Sequence, residues 1–395
     1  MALTILESAL EAVNPIKIIK EKIRVKGSIL SVNESAKKLS IDLDNYNQIL
    51  VIGGGKACGG MAEALEEVLG DRISSGILNI PRGMANKFRL KRIELNEAGH
   101  PLPDVDGLNG VEKILKLLRG ADEKTLVITL LSGGGSALLP FPQKGISLED
   151  TQKVTNLLLK CGANIEEINI VRKHISGING GRLSILCYPA TLLCLILSDV
   201  VGDSLTNIAS GPTAPDPSTY TEAIEILKLH NIWEKTPETV RKYLNNGLKN
   251  KNRESPKPGD FRFSTVHNII LGNNWMALEA AEGKAMELGV NSLILSSYLE
   301  GEAQHVGTIL AAIIREICTT DNPIHRPGIL LAGGETTVTV KGLGKGGRNQ
   351  ELALSAAIRL TNLEGVALAA IGTDGLDGPT DAAGAIVDGS TLKRA

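Results

Sequence analysis

The chain has 395 residues, 43% of them hydrophobic and only 3% aromatic, with a formal net charge of −2. That length exceeds one typical domain, so two cores are expected. The near-neutral charge and the scarcity of aromatic rings argue against a nucleic-acid reader that works by base stacking or by a broad basic field.

Five cysteines (Cys58, Cys161, Cys187, Cys194 and Cys318) show no CxxC spacing, which argues against a disulfide framework or a zinc site and fits a reducing compartment. No apolar run approaches the roughly 18 residues of a membrane span. The first stretch, MALTILESALEAVNPIKIIKEKI, reads as an amphipathic helix without the apolar core of a leader peptide. It carries Glu7 and Glu11, whereas transit peptides are poor in acid. A cytoplasmic protein is therefore expected, with a mitochondrial address left open.

Next, NQILVIGG at 47–54 predicts a buried strand, followed by glycines and a helix over 61–69. SGILNIP predicts a second strand. KTLVITLLSGGGSALL at 124–139 repeats the design of strand, glycines and new helix. Ser147 and Asp150 make a capping-box pattern. ATLLCLILSDVVGD at 190–203 is another apolar strand, with Asp199 at its end. Near-continuous apolar strands separated by helices predict a parallel sheet covered on both faces.

Composition changes at GPTAPDPSTY and again at the basic run KNKNRESPKPG, which reads as a solvated linker. Beyond it strands are expected at 266–271, 292–297, 329–332 and 366–371, with helices at 275–288, 302–317 and 349–360. The expectation is an α/β protein of two domains without a clean internal repeat. Residues 1–245 would carry a Rossmann-like parallel sheet with helices on both faces, 246–262 a linker, and 263–395 a smaller α/β domain.

In open α/β sheets ligands sit at the carboxyl ends of the strands. Three glycine-rich loops are expected there, GGGKACGG, SGGGSA and AGGETT, with free amides at the following helix N-termini to hold a phosphate. None matches the Walker A, GxGxxG or GxSxG pattern. Ser136 reads as a helix N-cap rather than a nucleophile. Lys56 is placed to neutralise phosphate oxygens. Asp199 serves as a general base or a magnesium ligand, or else as a cap. Arg348, framed by glycines, suits a carboxylate or phosphate. Asp374, Asp377 and Asp381 share one loop, which suits either a hard cation or Asx turns. His100 and His174 are further candidates for substrate contact, although a lone histidine is more often structural.

Taken together, the strings LLSGGGSALLPFP, LILSDVVGDSLTNIASGPTAPDP, LLAGGETTVTVKGLGKGGRNQELAL and GTDGLDGPTDAAGA resemble the glycerate kinase family with a MOFRL-type second domain. The resemblance runs from about Leu6 to the end of the chain. It implies ATP-dependent phosphorylation of D-glycerate to a phosphoglycerate, on the 2- or the 3-hydroxyl, with Mg2+ and with the active site in a cleft between a larger and a smaller α/β domain. It implies Lys56, Asp199 and Arg348 as the functional lysine, aspartate and arginine. The substrate- or phosphate-binding set is then Gly54, Gly55, Ser132, Gly133, Gly134, Gly135, Ser136, Gly333, Gly334, Glu335 and Asn349, with Asp374 and Asp377 as metal ligands. The partner is a small molecule, not nucleic acid or membrane, and a homodimer stays open. Two alternatives stand beside this reading: an NAD(P)-dependent hydroxypyruvate reductase and a non-catalytic metabolite-binding protein on the same fold. Relatives continue beyond the DAAGA region, whereas this chain stops at AIVDGSTLKRA. The second domain is thus expected to be truncated, prone to aggregation and weakly active.

Overall fold

The computed structural model describes residues 1–33, 38–250 and 253–395. They form two compact units, a larger one of Pro15–Ser198 and Asp203–Leu271 and a smaller one of Met1–Asn14, Asp199–Gly202 and Gly272–Ala395. Both are α/β.

In the larger unit a three-stranded antiparallel sheet comes first, β1 (Ile23–Lys26), β2 (Ile29–Asn33) and β3 (Lys38–Asp42). The main sheet follows: β4 (Gln48–Gly54), β5 (Ser75–Pro81), β6 (Ile93–Ala98), β7 (Thr125–Leu131), β8 (Thr191–Leu197) and β9 (Val266–Gly272). Its order is β6-β5-β4-β7-β8-β9, and the pairings from β6 to β8 are parallel. Every residue of β7 is buried, as are all of β8 but Thr191 and all of β4 but Gln48. Such strands must be apolar throughout because both faces are covered. The chain runs outward from β4 to β6 and then returns to β7, so the strand order reverses between β4 and β7. That reversal opens a crevice at the carboxyl ends of these two strands, the place where ligands bind in open α/β sheets.

Local signals hold where the chemistry is local. Ser147 caps the helix Leu148–Lys160 by accepting from Asp150 N (3.0 Å), and Asp150 returns the bond to Ser147 N (3.2 Å). The basic run differs from the solvated linker that its composition suggests. Lys251 and Asn252 lie outside the described residues. Lys249 ends the helix Glu238–Lys249, and Ser255 is buried in the larger unit. The reason is a buried ion pair between Lys173 and Asp216, 2.8 Å apart. Asp216 also accepts from Ser218 Oγ (2.6 Å) and from Ser255 Oγ (2.8 Å). Burial by itself would raise the Asp216 pKa, but the Lys173 charge and the hydroxyl donors outweigh it and hold the group below its ordinary value. His174 belongs to the same core rather than to a substrate site. It is fully buried, its Nδ1 lies 2.8 Å from Ile170 O, and it meets Tyr220 edge-on at 4.8 Å.

The smaller unit holds a parallel pair, β10 (Asn291–Glu302) and β11 (Gly328–Thr337), and an antiparallel pair, β12 (Ala367–Ile371) and β13 (Gly384–Asp388). In β12 only Leu368 is buried, so this is a half-covered strand and not the fully buried one that its composition predicts. The helices Ala303–Thr320 and Arg348–Leu360 pack through Ala303, Val306, Ala311, Ala353, Ala356 and Ala357, small side chains that let two backbones approach. Helix Ala2–Ala12 packs in this unit as well, with Ile5 buried against Leu278, Ala281 and Leu331.

Removing one partner of a buried ion pair costs about 3–5 kcal/mol, because the other charge is left uncompensated. Lys173→Met is expected to lower the urea midpoint accordingly; a midpoint equal to wild type would contradict the pairing.

Candidate active site

Both glycine turns at the β4–β7 crevice are built by close contact between backbones. After β4 the chain lies directly on β7. A Cβ at Gly53 would fall 2.0 Å from Leu130 O, and one at Gly55 would fall 2.2 Å from Ser132 Oγ. No other residue fits at either position. The N–H groups of this first turn are all used inside the protein. Gly55 N donates to Asn79 O (3.1 Å), Lys56 N to Gly133 O (2.8 Å), Ala57 N to Ser132 Oγ (3.0 Å) and Cys58 N to Gly55 O (3.3 Å). Gly54 and Gly55 are themselves buried. The expectation of free amides therefore fails for residues 55–58, the stretch that leads into the long helix Cys58–Leu69.

The second turn is different. Gly135 N donates to Ser132 O (3.2 Å), but among the described residues the N–H groups of Gly133 and Gly134 have no acceptor. Gly134 adopts a left-handed conformation (φ 80°) and is the residue that caps the short helix Gly135–Leu138. Ser136 is thus not the N-cap; its hydroxyl lies 2.9 Å from Ser210 Oγ, and Ser210 Oγ donates to Asn169 (3.0 Å). Behind Gly135 stands Ala209, whose Cβ would lie 2.7 Å from a Cβ on that glycine. Ala209 (φ 50°) and Ser210 (φ 59°) are consecutive left-handed residues. Each costs of order 1 kcal/mol or more for a side chain with a Cβ, and such strain gathers at functional sites.

Lys56 thus leaves the first turn half-buried, with its backbone hydrogen-bonded to the second. A Cβ on Gly134 would lie 3.3 Å from Lys56 Cγ and 2.9 Å from both Cδ2 and Nε2 of His100. The structure brings together Lys56, Ser132, Gly133, Gly134 and His100. Asn79, fully buried in β5, ties the frame by donating from Nδ2 to Gly107 O (2.8 Å) and Leu138 O (2.6 Å). An asparagine inside the apolar run SGILNIP is the signal that could have found it, since a buried amide must be hydrogen-bonded. Cys58 lies one turn on but is inert. Burial pushes its thiol up to about 12, against the opposing effect of its contact with Ser132.

The remaining candidates lie in the smaller unit. Asp199 is exposed just beyond β8, so the high cost of burying a carboxylate does not arise there. Arg348 opens its helix and pairs through Nη1 with Glu335 on β11. Gly333 and Gly334 answer to packing, because a Cβ on them would meet Asn274 Oδ1 at 2.2 Å and Leu299 O at 1.9 Å. Asp377 is buried, and it caps the Arg348–Leu360 helix from the neighbouring loop. It accepts from Asn349 N (3.0 Å), Asn349 Nδ2 (3.1 Å) and Gln350 N (2.8 Å). Asp374 is exposed and accepts from Leu376 N at 3.1 Å, an Asx turn. Both carboxylates thus accept backbone N–H groups within their own neighbourhood. Among the described residues no group of three or more His, Cys, Asp and Glu is placed to hold a metal ion.

Two family models match the chain, "Domain of unknown function (DUF4147)" over residues 1–245 and "MOFRL family" over residues 328–395. A glycerate 2-kinase of Pyrococcus horikoshii is 42% identical over 395 residues, which cover 100% of this chain and 86% of that protein. A D-glycerate 2-kinase of Thermotoga maritima is 43% identical over 378 residues, 96% of this chain and 86% of that one. The chain belongs to the glycerate kinase family with a MOFRL domain. The crystal structure of a glycerate kinase from Thermotoga maritima superposes with a TM-score of 0.82 at 41% identity, covering 99% of this chain and 87% of that one. The α/β architecture expected from the sequence is thus that of a solved glycerate kinase.

Within this family member the inertness of the Cys58 thiol can be checked. At about pH 8 an aromatic disulfide reagent is expected to label the partly exposed Cys161 and Cys318 quickly and the buried Cys58, Cys187 and Cys194 only after denaturation. Rapid labelling of Cys58 in the native protein would mean that the turn holding Lys56 is open.

Proposed function

We propose that the protein transfers the γ-phosphoryl group of ATP to the 2-hydroxyl of D-glycerate, giving 2-phosphoglycerate and ADP. Relatives named as glycerate 2-kinases, 42% and 43% identical over nearly the whole chain, support the reaction and the choice of hydroxyl. The observation that carries it in this chain is Lys56 beside the N–H groups of Gly133 and Gly134, which have no acceptor among the described residues, at the reversal of the sheet. A cation and two peptide N–H groups suit the charge on the equatorial oxygens of a transferring phosphoryl group. In this reaction the glycerate oxygen bonds to phosphorus, the bond to the ADP oxygen breaks, and the hydroxyl proton leaves. Positioning and charge neutralisation do most of that work.

Mg2+ is proposed to arrive on the nucleotide. Magnesium held through phosphates and water needs only one or two protein carboxylates, and the exposed Asp199 is the one we propose. Arg348 is proposed as a carboxylate or phosphate ligand, with Glu335 holding one of its five donors. A hydroxypyruvate reductase is disfavoured, because the turn after β4 does not match GxGxxG and the N–H groups of residues 55–58 are already bonded within the protein.

Two measurements test this. ADP release with Mg-ATP should depend on D-glycerate, and the phosphorus NMR spectrum of the product should be that of 2-phosphoglycerate. Lys56→Ala is expected to lower kcat by about 10²–10³-fold. Oxidation of NADH or NADPH with hydroxypyruvate, without glycerate-dependent ADP release, would replace the reading.

A further inference from the structure

His100, so far only a candidate for substrate contact, has its ring pressed against the centre of the site. It follows β6, which the sheet order places two strands from β4. The edge of the ring that bears Nε2 and Cδ2 faces Gly134, at 2.9 Å from where a Cβ would stand. The stem of Lys56 lies against the same glycine. A side chain at 134 would therefore displace both groups, so the glycine there seats an imidazole beside an ammonium.

The loop that carries His100 is held in place from below. Gly107 N donates to the Asp104 carboxylate at 2.9 Å, and the Gly99 N–H adds its electrostatic pull on the same carboxylate. Arg82 Nη2 bridges Asp104 (2.7 Å) and Asp106 (2.8 Å), and Arg82 N donates to Ala98 O (3.1 Å). Burial would raise the Asp104 pKa, but those N–H groups and the guanidinium outweigh it and hold it ionised. Pro101 and Pro103 further restrict the segment. The frame braces the loop that carries this half-buried imidazole, which favours pre-organisation for a ligand.

We propose that His100 is a ligand-contacting residue of this site, its Nε2 donating, beside Lys56, to an anionic oxygen of a reactant bound over Gly134. This rests on the kinase reading above. The oxygen belongs either to the D-glycerate carboxylate or to a phosphate of the nucleotide. His100 moves no electron pair and takes no proton in this role; it orients an oxygen.

The test is isothermal titration of wild type, His100→Ala and His100→Gln with D-glycerate and, separately, with ADP, alongside steady-state constants. Losing one hydrogen bond to a charged oxygen is expected to weaken binding about tenfold or more. Weakening of D-glycerate alone would assign the carboxylate, and weakening of ADP alone the phosphate. Glutamine can place a donor near the position of Nε2, so His100→Gln should recover most of the loss at an unchanged melting temperature, whereas a merely structural ring would not be rescued in affinity. If His100→Ala fails to fold, His100→Asn takes its place, since its shorter amide cannot reach. Affinities of the alanine or asparagine variant equal to wild type for both ligands would overturn the inference. A wild-type chain that binds both ligands but releases no ADP would sink the kinase reading and leave the histidine to be judged by titration. A chain that binds neither would overturn both.

Discussion

Contact between two backbones governs this site. The turn after β4 rests on β7 with no room for a Cβ at Gly53 or Gly55, and Lys56 N donates directly to Gly133 O. The two glycine turns are therefore one rigid piece. Lys56 leaves that piece at a set place, and the N–H groups of Gly133 and Gly134 have no acceptor among the described residues. Everything else in the larger unit braces the contact. Asn79 ties β5 to the second turn, Ser132 clasps the first, and the strained Ala209–Ser210 segment presses on Gly135 from behind.

Glycine consequently has two different uses in this chain. At 53 and 55 it permits a close approach; at 134 it permits a left-handed turn and leaves space for two side chains. In the smaller unit Gly333, Gly334 and Gly347 again yield to neighbouring atoms, the last to Asp377. In the second turn of the larger unit glycine comes together with N–H groups that have no acceptor among the described residues. The anion site we propose is centred on that loop.

Much of this was legible in the sequence for a physical reason. Strands such as LVITLL are covered on both faces, so they must be apolar from end to end, and they announce a parallel sheet. The box of Ser147 and Asp150 is a local pattern made by residues three apart. What could not be read depends on contacts distant in sequence. Nothing near Asp377 says that it caps a helix beginning at Arg348, 29 residues earlier in the chain. Nothing in KNRESPKPG says that Ser255 will be needed by a buried aspartate 39 residues away. His100 was visible as a residue but not as a neighbour, because β6 is the edge strand, three places from β7, and it is the loop after β6 that brings the ring to the turn after β7.

The central claim is that the second turn, and not the first, offers its backbone to an anion. Amide chemical shifts report this residue by residue. In a transverse-relaxation-optimised nitrogen–proton spectrum, added ADP or inorganic phosphate should shift the Gly133 and Gly134 amides strongly and leave those of Gly55 and Ala57, bonded to Asn79 and Ser132, nearly in place. Large shifts at Gly55 and Ala57 with Gly133 and Gly134 unmoved would contradict it.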